Sequence, residues 1–98
     1  MEWVKSSGEK TAAALIKTGP GKLLGLMFAT DGMNPITVSV YDNTSAAGDE
    51  LIPTLTITTS ATDRMRQIDF SKPIIFNKGL YVNATVGGGT FAYSAYYK

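Results

Sequence analysis

Apolar and polar positions alternate along most of the chain. In Ile36-Thr37-Val38-Ser39-Val40-Tyr41, the residues Ile36, Val38 and Val40 share one face and Thr37, Ser39 and Tyr41 the other. A period of two is the mark of a strand with one side in the core. Leu55 and Ile57 alternate in the same way with Thr54, Thr56 and Thr58, and Leu80, Val82, Ala84 and Val86 alternate with Tyr81, Asn83 and Thr85. The last stretch, from Thr90 to Tyr97, is dense in aromatic and other β-forming residues and closes the chain as a strand. Gly21 to Thr30 is apolar on both faces, which predicts a central strand covered on each side. Ile74-Ile75-Phe76, after Pro73, is a shorter strand candidate.

Turn residues punctuate these segments about every ten residues. Thr18-Gly19-Pro20-Gly21, Asp31-Gly32 through Asn34-Pro35, and Asp42-Asn43-Thr44-Ser45 are turn or loop clusters. Asn77-Lys78-Gly79 suits a short hairpin, and Gly87-Gly88-Gly89 a second, looser hairpin tip. Such spacing points to an all-β sandwich or small barrel rather than to βαβ units. Residues 9–17, with three successive alanines, also have good helix propensity. The strand reading is preferred there, because the Gly-Pro-Gly that follows would stop a helix at once and short isolated helices are marginal. Residues 1–8 read as an N-terminal arm and residues 9–98 as one β-sandwich domain.

Composition narrows the chemistry. The chain has 98 residues, 44% hydrophobic and 17% charged, with a formal charge of +1. A domain of this size buries roughly two-thirds of its unfolded surface, enough to fold alone with little margin. The near-neutral balance gives no strong field for phosphates, so nucleic acid is not expected as a partner. Histidine and cysteine are both absent. Their loss removes the commonest general base, the commonest zinc ligands, thiol nucleophiles and disulfides together. No apolar stretch is long enough to span a bilayer, so no membrane partner is expected, and no basic-then-apolar leader opens the sequence. Synthesis and folding in a reducing cytoplasm is the expectation.

Candidate catalytic arrangements are thin. Without His, a Ser-His-Asp triad is impossible. The eight acidic residues fall mostly at turns, where aspartate caps backbone N–H groups, and none can be paired across a cleft. Asp42, Asp49 and Glu50 form an acidic loop that could offer oxygen ligands to calcium, but without an EF-hand pattern. The Gly87-Gly88-Gly89 run leads into a strand, not into the helix a phosphate cradle requires. Arg64, Arg66, Lys72 and Lys78 are diluted by Asp63 and Asp69 and read as a solvated loop. No enzyme activity, metal or cofactor is expected.

Interaction chemistry is the better lead. Phe91, Tyr93 and Tyr97 are expected to fill the core, leaving Tyr96 outward. Trp3, the only tryptophan, lies in the arm and would anchor it on the sandwich or on a neighbouring subunit. Thr54, Thr56 and Thr58 make an uncharged face suited to subunit contact or simply to water. The candidate interaction residues are therefore Trp3, Thr54, Thr56, Thr58 and Tyr96.

A longer pattern joins these segments. It runs from Lys17-Thr18-Gly19-Pro20-Gly21-Lys22-Leu23-Leu24-Gly25 through Val40-Tyr41-Asp42-Asn43-Thr44-Ser45 and Leu51-Ile52-Pro53-Thr54-Leu55. It continues with Asp69-Phe70, Phe76-Asn77-Lys78-Gly79-Leu80-Tyr81-Val82 and the terminal Tyr-Tyr-Lys. Over residues 12–98 the chain resembles a family of small virion structural proteins of tailed bacteriophages. The resemblance implies an antiparallel β-sandwich of jelly-roll type with about seven to eight short strands. It also implies a capsid decoration or cement role, as a homotrimer bound to the major capsid protein or an adjacent virion protein, and it brings no catalytic residues with it. The virion is then the expected location. The alternative reading is a carbohydrate-binding or receptor-recognition β-sandwich of a phage tail or spike, using Tyr41, Tyr81 and Tyr96 as exposed rings.

Overall fold

The computed structural model describes residues 4–98. Eight strands are found: β1 (Lys5–Ser6), β2 (Ala14–Thr18), β3 (Gly21–Thr30), β4 (Ile36–Tyr41), β5 (Glu50–Ile57), β6 (Met65–Phe76), β7 (Gly79–Val86) and β8 (Phe91–Tyr97). They form two four-stranded sheets, in the orders β1-β8-β3-β6 and β2-β7-β4-β5, with every pairing antiparallel. Successive strands mostly cross between the sheets, and first and last strands lie side by side. This is the jelly-roll order.

The alternating segments turn their apolar residues inward as their period dictates. Ile36, Val38 and Val40 of β4 and Leu80, Val82 and Ala84 of β7 meet Leu23, Leu26 and Phe28 of β3 and Tyr93 and Ala95 of β8, all of them buried. Phe28 and Tyr93 are tilted together with centroids 6.0 Å apart, and Phe91 stacks on Tyr93 at 6.3 Å. The Tyr93 hydroxyl donates to the Ala12 carbonyl at 2.8 Å, so the one polar atom of this ring is satisfied. Burial raises its pKa to about 12, with a smaller contribution from Tyr81.

Strand β3 reads as apolar on both faces for a reason the alternation conceals. Its register shifts between Leu23 and Gly25 against both neighbours. One extra residue moves the inward phase from Leu23 to Leu26 and Phe28. Leu24 and Met27, partly exposed, are left on the outer face. Gly25 is required where the bulge presses β3 onto β6, because a Cβ there would meet the Ile68 carbonyl oxygen at 2.8 Å.

Two segments depart from the sequence expectation. The short strand expected at residues 74–76 is the end of a twelve-residue β6, and Arg66 and Lys72 belong to this strand rather than to a solvated loop. Among the described residues β6 has β3 as its only neighbour, so Pro73 removes no hydrogen bond that the sheet interior needs. Within the residues expected as an arm, Lys5 and Ser6 pair with Tyr97 and Tyr96. Ser7 continues the contact by donating its N–H to the Ala95 carbonyl. Backbone pairing and the Ser7 hydroxyl, which accepts the Ala95 N–H at 2.9 Å, hold these polar residues, so no hydrophobic alternation announces them. In residues 9–17 the strand reading holds over Ala14–Thr18.

Candidate functional site

The inner faces are spent on the core, so the chemistry available to a partner lies on the two outer sheet faces and the loops at their ends. Cross-strand register fixes what each face presents.

On the outer face of β2-β7-β4-β5, Thr56, Thr37 and Thr85 form one row and Ser39 and Asn83 lie in the next. Ser39 and Thr54 hydroxyls are 3.1 Å apart, and the Thr54 hydroxyl donates to Glu50 at 2.7 Å. Thr54 and Thr56 therefore share this face, while Thr58 follows the end of β5, exposed. Tyr41 stands directly opposite Tyr81, and Leu15 opposite Tyr81 on the other side.

Tyr96 is on the other sheet. Expected as one of three rings with Tyr41 and Tyr81, it lies instead on the outer face of β1-β8-β3-β6, opposite both Ser6 and Gly25. The rows of that face are Ala92, Ala29 and Met65, then Ser94, Met27 and Gln67, then Ser6, Tyr96, Gly25 and Asp69. Small residues down the middle leave a trough. Where Gly25 contributes no side chain, a recess of about 300 Å³ opens, lined by Val4, Leu24, Tyr96, Gln67 and Asp69. Gln67 donates to the Asp69 carboxylate at 3.2 Å. Val4, Met65 and Ile75 on this side are 55%, 55% and 63% exposed. Trp3 lies outside the described residues.

The loops are braced by two aspartates. Asp42 Oδ1 accepts the N–H groups of Asn77, Lys78 and Gly79 at 3.0, 2.8 and 3.4 Å, tying the end of β4 to the connection that carries the chain from β6 in one sheet to β7 in the other, where the sequence suggested a hairpin. These bonds, that of Lys78 foremost, hold its pKa below the ordinary carboxylate value. Asp42 is thus committed to this connection. Among the described residues no group of three or more acidic, histidine or cysteine side chains is placed to hold a metal ion.

Asp31 braces the opposite end. Its carboxylate accepts from Met33 N–H at 3.0 Å and Thr90 N–H at 3.0 Å, and these bonds, Met33 first, lower its pKa. Gly32 N–H donates to Thr30 Oγ1 at 2.7 Å, and Asn34 Nδ2 donates to the Gly88 carbonyl at 3.0 Å. This fixed loop holds Met33 with its side chain 80% exposed. The sequence carries one signal of it, an apolar residue amid turn formers. The recess at Gly25 had no signal, because it depends on which residues lie across β3.

Compared with protein-family models, with curated proteins and with solved structures, the chain matches none.

Proposed function

We propose that the chain is a non-enzymatic structural protein of a tailed-phage virion, a decoration or cement protein that assembles with copies of itself and binds the major capsid lattice. The observation that carries this reading is the outer face of β1-β8-β3-β6. It is broad and mostly uncharged, with Val4, Met65 and Ile75 each more than half exposed. Several apolar side chains left exposed on one mostly uncharged face suit a surface that another protein covers. A jelly roll also suits repeated packing, since its two outer sheet faces and the open edge of β6 are available to neighbours. A homotrimer would set this face of each subunit against a different patch of the next around an axis.

The test is to band particles of the encoding phage on a density gradient and probe the fractions with antibody to the chain. The protein should travel with intact particles at a fixed copy number per capsid subunit and be released by mild denaturant. Finding it only in the soluble fraction would overturn the reading.

A second reading draws on Tyr41 and Tyr81, adjacent on the other sheet beside rows of threonine and serine hydroxyls. Rings beside hydroxyl groups are suited to a sugar face, and the reading is a glycan-binding module. A glycan array supports it if one sugar class binds and Tyr81→Ala abolishes the signal. A blank array removes it.

A further inference from the structure

We infer that the Gly25 recess is the seat of Trp3 of the same chain, and that the seated ring latches the N-terminal arm onto the outer face of β1-β8-β3-β6. The inference does not depend on the assembly proposed above.

The recess has walls of two kinds. Val4, Leu24 and Tyr96 offer apolar surface, with the Tyr96 ring available for stacking. Asp69 offers an acceptor. Its carboxylate lies against Gly25, where a Cβ would come within 3.2 Å of Oδ1, and it accepts from Gln67 Nε2 at 3.2 and 3.3 Å. Those bonds leave further lone pairs on both oxygens. An apolar hollow with one acceptor at its rim suits a large flat ring that carries a single N–H donor, and that side chain is indole. A volume of about 300 Å³ leaves room for it.

The chain leading to the recess names the occupant. Val4 is the first described residue and forms one of the walls. The residue joined to it is Trp3, the only tryptophan of the sequence. One peptide step, about 3.8 Å between Cα atoms, separates ring-bearing residue from wall, so no loop has to close. A ring from a second copy would have to compete with the roughly millimolar effective concentration that so short a tether gives. Lys5 pairs with Tyr97, the last residue of β8, so the ladder offers residue 3 no partner and does not dictate which way its side chain turns.

The latch also answers a need of the fold. Strand β1 has two residues, fewer than the usual three to ten or so, yet it covers the edge of β8. Lys5 and Ser6 are both exposed and bring no apolar contact. On their C-terminal side, Ser7 N–H donates to the Ala95 carbonyl at 2.9 Å. A seated Trp3 secures the N-terminal side and keeps the β8 edge covered.

Because Trp3 is the only tryptophan, the fluorescence of the full chain reads its surroundings directly. The folded wild type should emit to the blue of the urea-unfolded chain and resist acrylamide quenching, and neither property should change on dilution. Asp69→Ala, at an exposed position, removes the acceptor, so emission should shift to the red and quenching should rise. Asp69→Asn keeps an acceptor oxygen and should restore most of the protection. Leu24→Glu should also release the ring, whereas Met33→Glu, in the Asp31 loop, should leave the spectrum as in wild type. Circular dichroism establishes which variants are folded. The inference is overturned if the folded wild type emits and quenches like the unfolded chain. It is also overturned if protection disappears on dilution, which would put the ring on a neighbouring subunit, or if folded Asp69→Ala keeps the wild-type spectrum. The assembly reading is decided separately, by the solution mass of the chain.

Discussion

Removing the Asp42 carboxylate perturbs the fold at one identifiable joint. Its Oδ1 gathers three backbone N–H groups of the β6–β7 connection, from Asn77, Lys78 and Gly79, onto the end of β4. Hydrogen bonds to a charged group contribute about 1.5–3 kcal/mol each when sheltered. This joint lies at the surface, where water replaces much of what is lost, so Asp42→Ala should cost about 1–2 kcal/mol in all. For a domain near 100 residues that corresponds to a fall in Tm of roughly 5–15 °C. Asp42→Asn keeps an acceptor oxygen and gives up the charge, so it should lose about half as much. The pH dependence supplies an independent check. Asp42 has a lowered pKa in the fold, so its contribution is present above the ordinary carboxylate value of 3.8 and is lost as pH falls through the lower native value. The assay is urea unfolding of wild type, Asp42→Ala and Asp42→Asn at pH 7 and at pH 2–3. The gap between wild type and Asp42→Asn should be present at pH 7 and narrow in acid. A loss below about 0.3 kcal/mol for Asp42→Ala, or a gap that is the same at both pH values, would refute this account of the β6–β7 joint.

Other expectations follow from single observations. Tyr93 has its pKa raised to about 12, so a spectrophotometric titration should find one of the five tyrosines ionising late, and Tyr93→Phe should remove that step. The same shift means that the unfolded chain releases this proton first, and stability should decline between pH 10 and 12. Phe28→Ala empties a fully buried ring position and should cost about 3–5 kcal/mol by urea unfolding; a loss under 1 kcal/mol would mean that the sheets do not close over Phe28. Gly32→Ala places a Cβ against the Ser60 backbone at a positive φ and should lower the Tm by several degrees, whereas Met33→Glu next to it should leave the circular-dichroism melt unchanged.

How much of this could be read from the chain depends on whether side chains or the register decided the outcome. Strands β4 and β7, each paired on both edges with one side in the core, follow their alternation residue by residue. So does the closing strand, with Tyr93 buried, Phe91 and Tyr97 against the core and Tyr96 outward. Segments at sheet edges obeyed other rules. Strand β6 runs through Lys72 and Pro73 because its outer edge needs no partner, so charges and a proline that suggest a loop are accommodated in a strand. Strand β1 is held by backbone bonds to β8, which leave no mark on the side-chain pattern. The candidate surface was legible only in part. Thr54 and Thr56 do share a face, but Tyr96 is separated from Tyr41 and Tyr81 by the thickness of the sandwich, a fact of strand order that no local spacing encodes. Met65, Gln67 and Asp69 line the trough because β6 pairs with β3 across some forty residues, and Gly25 makes its recess only in that company.

The central claim is that this jelly roll is built to pack against copies of itself. Light scattering on a sizing column, over a wide concentration series of the wild-type protein, tests it most directly. The account expects one discrete species at three times the 10.5 kDa subunit mass, unchanged on tenfold dilution. A subunit that elutes as a monomer throughout would contradict it.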